Sequence, residues 1–186
     1  MLDGISEEDH RILRALNLLT SKPVLYVCNV AEDEAANGNE KSEAVALMAA
    51  QQGARTVVIS AAIEAEIAQL EGDAAQEFLD TLDLEEPGLA RLIREGYALL
   101  DLITFFTAGP KEARAWTVKK GSKAPQAAGQ IHTDFEKGFN RAQTIAFDDY
   151  VELGGETPAK EAGKARDEGK EYIVLDGDVM LFKFNV

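Results

Sequence analysis

Two short apolar runs constrain this chain more than any other feature: Pro23-Val24-Leu25-Tyr26-Val27-Cys28-Asn29-Val30 and Thr56-Val57-Val58-Ile59-Ser60. Each is strand-length, continuous rather than alternating, and bounded by polar residues, which is the pattern of strands covered on both faces in a parallel sheet. Between them, residues 40–52 place Val45, Met48 and Ala49 on one helical face, with Gly53 at the C-terminal end. Strand, helix, strand in this order predicts a right-handed crossover in an α/β layer. The same half carries a helical pattern over residues 7–20, with Ser6 as N-cap, and further helical segments at 63–70, 75–82 and 88–100.

The second half changes character. Strand patterns at 103–106 and 113–118 flank a Gly109-Pro110 turn, and a helix is predicted from about Pro125 to His132. Another strand follows at 141–147, then a short acidic helix and a polar helical segment over 159–166. Two final strands, 172–174 and 179–184, are expected on either side of the Asp176-Gly177-Asp178 turn. Strands around one principal helix in such a length describe an α+β domain. The boundary is expected near residue 100, giving units 1–100 and 101–184.

Composition excludes several classes. With 46% hydrophobic and 28% charged residues, the chain of 186 residues can bury a core. No apolar stretch approaches the roughly 20 residues of a membrane span, and Met1-Leu2-Asp3-Gly4-Ile5 lacks the start of a signal peptide. A cytoplasmic protein with no membrane partner is expected. The single cysteine, Cys28, lies in the first apolar run and reads as a buried, inert thiol; with His10 and His132 it is too scattered for a zinc site. The net charge of −14 is uneven: residues 1–100 hold 7 basic and 19 acidic side chains, residues 101–186 hold 12 and 14. Only the second half can present a basic face to a polyanion, and no DNA-binding pattern appears.

No Walker-type loop, no D-x-x-G after a strand, no G-x-G-x-x-G and no nucleophile elbow occurs in the sequence. One positive signal remains. Asn29-Val30-Ala31-Glu32 leaves the first strand at its C-terminal end, where open α/β sheets bind ligands. Its spacing matches the base-reading N-K-x-D loop of P-loop GTPases, with Val30 in the Lys place and Glu32 in the Asp place; the bland alternative is an ordinary strand-to-loop exit, with Asn29 capping the turn and Glu32 a solvated acid. Ser60-Ala61-Ala62, at the end of the second strand, falls where a second base-contacting loop would lie.

Longer stretches carry a specific resemblance: Lys22 to Asp33, Ala61 to Ile67, Leu84 to Leu89, Arg114 to Val118, Ala124 to Phe139, Lys160 to Lys164, and Tyr172 to Met180. Over essentially its whole length the chain resembles the YchF (Obg-like ATPase) family of the P-loop GTPase superfamily. The resemblance implies the C-terminal part of such a protein, beginning after the coiled-coil insertion. A partial α/β G domain through residue 100 would precede an α+β TGS domain of the β-grasp type. Glu34 to Asn39, Pro110 and Ala113 depart from the usual family sequence.

The family is a hydrolase that prefers ATP and associates with ribosomes. By resemblance, Asn29, Val30, Glu32, Ser60 and Ala61 would form the adenine edge of the ATP site. Adenine presents a donor at N6 and an acceptor at N1, where guanine presents donors to the GTPase Asp. Val30 is therefore expected to pack on the base and offer backbone groups to N6 and N1. The Mg²⁺ ligands and the P-loop would come from an N-terminal G-domain segment, a partner this chain requires. Alone it is expected to hydrolyse neither ATP nor GTP. Lys111, Arg114, Lys119, Lys120 and Lys123 form the densest basic stretch and would face ribosomal RNA, with His132 secondary. The bland readings are a solvated basic face, a core Trp116, and a helix-terminal His132 packed beside Phe135 and Phe139. The competing function is a free-standing TGS-type RNA- or ligand-binding adaptor without nucleotide chemistry.

Overall fold

The computed structural model describes residues 6–185. The chain folds as two compact units, one ending at Leu99 and the other starting at Leu100.

In the first unit, β1 (Leu25–Asn29) pairs in parallel with β2 (Arg55–Ile59), from Leu25 opposite Arg55 to Asn29 opposite Ile59. Helix α1 (Glu7–Ala15) precedes them and α2 (Glu40–Gln51) connects them. Asn39 starts α2: its Oδ1 accepts from Lys41 N at 3.0 Å and Ser42 N at 2.9 Å, while Asn39 N donates to Ser42 Oγ at 2.8 Å. That reciprocal cap satisfies donors the first helical turn leaves free. Helices α3 (Ala61–Ile67), α4 (Ala74–Thr81) and α5 (Gly88–Leu99) follow. The Glu64 carboxylate of α3 accepts from Gly88 N at 2.6 Å and Leu89 N at 3.0 Å, capping α5. A Cβ on Gly88 would sit 2.9 Å from Glu64 Oε1 and 3.0 Å from Ile59 Cγ2, so a side chain there would displace the cap.

Several expectations for this unit need correction. The first helix stops at Ala15 instead of Thr20, because Asn17 takes a left-handed φ of 53°. Its cap is as expected, with Asp9 N donating to Ser6 Oγ at 3.2 Å. The strands are not covered on both faces: Val27 is 45% exposed, and Cys28 is half-buried rather than buried. A sheet of two strands has an open edge on each side, and its apolar cluster is small: Ala35, Ile63, Leu79 and Leu84, with Ile67, Phe78 and Leu82 against it. Limited proteolysis of the whole chain should therefore cut the first unit and leave a resistant fragment beginning near Asp101. Equal resistance of both units would contradict this.

The second unit is a five-stranded mixed sheet. Strands β3 (Leu102–Ala108), β4 (Ala113–Lys119), β5 (Phe139–Ala146), β6 (Arg166–Glu168) and β7 (Asp178–Phe184) lie in the order β4-β3-β7-β5-β6. Among the described residues of this sheet only β3 and β7 run parallel; the other neighbours are antiparallel. Between β4 and β5 come α6 (Ala124–Ile131) and α7 (Thr133–Lys137); α8 (Phe147–Glu152) and α9 (Glu156–Glu161) separate β5 from β6. Fully buried Ala124, Ala127 and Ala128 bring α6 close to a core of Ile103, Phe105, Val118, Phe139, Met180 and Phe182. Phe105 and Phe182 meet edge to face at 5.9 Å.

Here too the structure differs from the pattern. Residues 159–166 are not one helix: α9 ends at Glu161, Gly163 turns at φ 73°, and Arg166 enters β6. The expected strand at 172–174 is reduced to a single bridge between Ile173 and Lys123, flanked by Ala124 N to Tyr172 O and Val174 N to Ser122 O, both 2.9 Å.

Buried Asp178 locks the last turn. Its Oδ2 accepts from the Tyr172 hydroxyl at 2.8 Å and Leu175 N at 2.9 Å, and Asp176 Oδ1 accepts from Thr104 N at 2.8 Å. Burial, then the hydrogen bond to the Asp178 carboxylate, push the Tyr172 phenol from its ordinary 10.0 up to about 12. As pH climbs, the unfolded chain loses this proton first. The contribution to stability is thus complete below pH 10 and is lost as pH rises toward 12. Tyr172→Phe should lower stability at neutral pH by about 1–3 kcal/mol by removing one of the two hydrogen bonds that Oδ2 of the buried Asp178 carboxylate accepts. It should also flatten the alkaline decline, as read from urea midpoints of the whole chain. An unchanged alkaline slope would refute the assignment.

Candidate functional site

The two strand exits of the first unit are joined by one side chain. Asn29 Oδ1 accepts from Ala61 N at 2.9 Å, crossing from the end of β1 to the start of α3. Beside it, Val30 N donates to Ile59 O at 2.9 Å. Parallel pairing delivers both loops to the C-terminal edge of the sheet, and the Asn29 bond sets their spacing. Ser60 sits beneath them at 2% exposure, and its Oγ has no hydrogen-bond partner. Glu32 opens a 3₁₀ turn (Glu32–Glu34); its exposed carboxylate makes no hydrogen bond or ion pair among the described residues.

The residue that shapes this loop is one the sequence pattern does not single out. Glu34 Oε2 accepts from Ala31 N at 3.2 Å and from Asn39 Nδ2 at 2.8 Å, stapling the strand exit to the cap of α2. Gly38, at φ 72°, closes the turn, and a Cβ there would lie 2.5 Å from Ser42 Oγ. Asn39 could have been found as an N-cap before a helical run; Glu34 carries no such signal.

The expectation that Val30 offers both of its backbone groups to a base needs one correction. The Val30 amide is already bound to Ile59 O and cannot serve adenine N1. Among the named residues the side-chain and loop groups without a partner are the Val30 carbonyl, the Asn29 Nδ2, the Glu32 carboxylate and the buried Ser60 Oγ. Nothing in the donor set recognises a triphosphate, and among the described residues no group of three or more His, Cys, Asp or Glu is placed to hold a metal ion.

The basic stretch does not form one surface. Strand alternation sends Arg114 and Trp116 to the face covered by α6 and Lys119 to the opposite one. The Arg114 guanidinium lies 4.2 Å above the Trp116 ring, and Trp116 Nε1 donates to Thr107 Oγ1 at 2.9 Å. Trp116 also packs against the core cluster. Lys123 is paired with Glu171 at 2.6 Å. Exposed Lys111, Lys119 and Lys120 make no ion pair among the described residues. His132 joins α6 to α7: its Nδ1 accepts from Asp134 N at 3.1 Å and its ring lies 5.9 Å from Phe135.

Residues 102–185 match the family model YchF-GTPase_C, described as a protein of unknown function (DUF933). The chain is 55% identical over 183 residues to the ribosome-binding ATPase YchF of Bacillus subtilis, covering 97% of this chain and 50% of that protein. It is 42% identical over 185 residues to the rat Obg-like ATPase 1, covering 97% and 46%. The chain belongs to the YchF family of Obg-like ATPases. The solved structure of the Schizosaccharomyces pombe YchF GTPase superposes with a TM-score of 0.81 at 35% identity, over 96% of this chain and 48% of that one. The chain thus spans about half the length of the curated YchF relatives it matches. Both units lie within the matched region, in agreement with a partial G domain followed by a C-terminal domain. No helix among the described residues is long and apolar enough to cross a membrane.

Proposed function

We propose that this chain is the C-terminal portion of a cytoplasmic, ribosome-associated, ATP-preferring ATPase. Its first unit supplies the adenine edge through Asn29, Val30, Glu32, Ser60 and Ala61, and a separate N-terminal G-domain segment supplies the phosphate and Mg²⁺ machinery. The second unit, residues 101–184, is a TGS domain. The observation that carries the reading is the Asn29–Ala61 hydrogen bond, which holds two strand-exit loops together as a base-reading edge. A β-grasp assignment is supported by the order β4-β3-β7-β5, with one parallel pair at the centre and α6 across one face. The name of the bacterial relatives, ribosome-binding ATPase, supports both halves of the proposal.

On this reading the Val30 carbonyl accepts from N6, and Asn29 Nδ2 donates to N1. Guanine would set its own N1–H against that donor, and an unmatched polar edge is costly in a dry site. Lys111, Lys119 and Lys120 face ribosomal RNA. The test is co-sedimentation of the whole chain with ribosomes across a salt series. Pelleting at low salt that is lost steeply as salt rises is expected; a chain that stays in the supernatant at low salt would refute the ribosomal half.

A further inference from the structure

Where α6 passes through His132 into α7, the chain leaves a groove of about 700 Å³ whose lining includes Ile131, His132, Phe135, Lys137, Gly138 and Phe184. That volume is within the range of small-ligand sites, roughly 300–1,000 Å³. Its wall is a ladder of rings. Phe184 stacks on Phe135 at 4.0 Å with planes 25° apart, and Phe135 is followed by His132 at 5.9 Å and 50°. The ladder ends at an open rung, since the His132 side chain is 59% exposed. Because Nδ1 accepts the Asp134 amide, the neutral imidazole carries its proton on Nε2, which has no partner among the described residues. Asp134 lies 3.5 Å from His132 Nδ1, whereas exposed Lys137 makes no ion pair among the described residues. The groove therefore offers an aromatic face, one N–H donor and one uncommitted cation at its rim, with the exposed Asp134 carboxylate on the Nδ1 side of His132.

We propose that this groove holds an unpaired base of single-stranded RNA, stacked on His132, with a neighbouring phosphate at Lys137. The inference rests on the reading that the second unit meets RNA, and assigns it a contact separate from Lys119 and Lys120. A base supplies a π-face, ring acceptors for Nε2–H and an adjoining phosphate. An apolar peptide side chain would match the phenyl rings but leave both the N–H and the lysine without partners. Paired bases, stacked inside a duplex, present no free face to the ladder.

The probe is an oligouridine carrying a single 2-aminopurine, whose fluorescence falls on stacking, titrated with the whole chain. Quenching by the single strand is expected, with none after annealing to a complementary strand. His132→Asn removes the ring but keeps an acceptor for the Asp134 amide, so the start of α7 is preserved. This variant should bind roughly tenfold more weakly and lose the quench. Lys137→Gln should keep the quench at saturation and flatten the salt dependence. Quenching by His132→Asn equal to the unaltered chain, or equal quenching by the duplex, would overturn the proposal. A chain that quenches the oligonucleotide but does not pellet with ribosomes keeps the groove and loses the ribosomal reading; the opposite result loses the groove alone.

Discussion

Reversing Lys119 and Lys120 together to Glu is expected to weaken ribosome association by roughly tenfold or more at low salt and to flatten its salt dependence. Each neutralised phosphate releases condensed counterions, so the slope of log affinity against log salt should fall by about one for each lysine that contacts a phosphate. These two residues are chosen because neither has an ion-pair partner among the described residues; Lys119 ends β4 and Lys120 follows it in the turn. Lys123→Glu should matter less, because that ammonium already meets Glu171 at 2.6 Å. Arg114→Glu should also weaken binding less; its guanidinium covers Trp116 on the face shared with α6. Equal losses for Lys119→Glu/Lys120→Glu and Arg114→Glu would mean that charge anywhere on this unit suffices, and that no defined surface docks.

The purified chain should release phosphate from neither ATP nor GTP above background. Phosphoryl transfer is positioning plus electrostatic stabilisation of the γ-phosphate, and it needs backbone donors, a lysine and a bound Mg²⁺. The sequence contains no Walker-type loop to supply them. Supplying the N-terminal half of a YchF relative in trans should restore turnover. Turnover by the chain alone that disappears in Glu32→Ala would place catalytic machinery where none is assigned.

The elements legible in the sequence were those whose signals are local. β1, α2 and β2 follow from two continuous apolar runs and one helical face, and the Asn29 and Ser60 strand exits follow from their ends. The misses arise where long-range pairing overrides local pattern. β6 is Arg166-Asp167-Glu168, three charged residues with no strand signal, and it exists because β5 offers an open edge from Ala142 to Thr144. α7 is five residues, too short for periodicity to register, and depends on a histidine acting as cap. In the site, the face of Arg114 could be read from alternation. The Lys123–Glu171 pair could not, because those residues are 48 positions apart. Nor could the loss of the Val30 amide to Ile59, which is a property of the parallel register.

Calorimetric titration of ATP and GTP into this chain, with and without the complementary N-terminal segment, tests the central claim most directly. The account predicts no measurable binding by the chain alone and binding of ATP in preference to GTP by the combined halves, with that preference lost in Asn29→Ala/Glu32→Ala. Combined halves that bind both nucleotides equally, or a preference unchanged in the double variant, would contradict it.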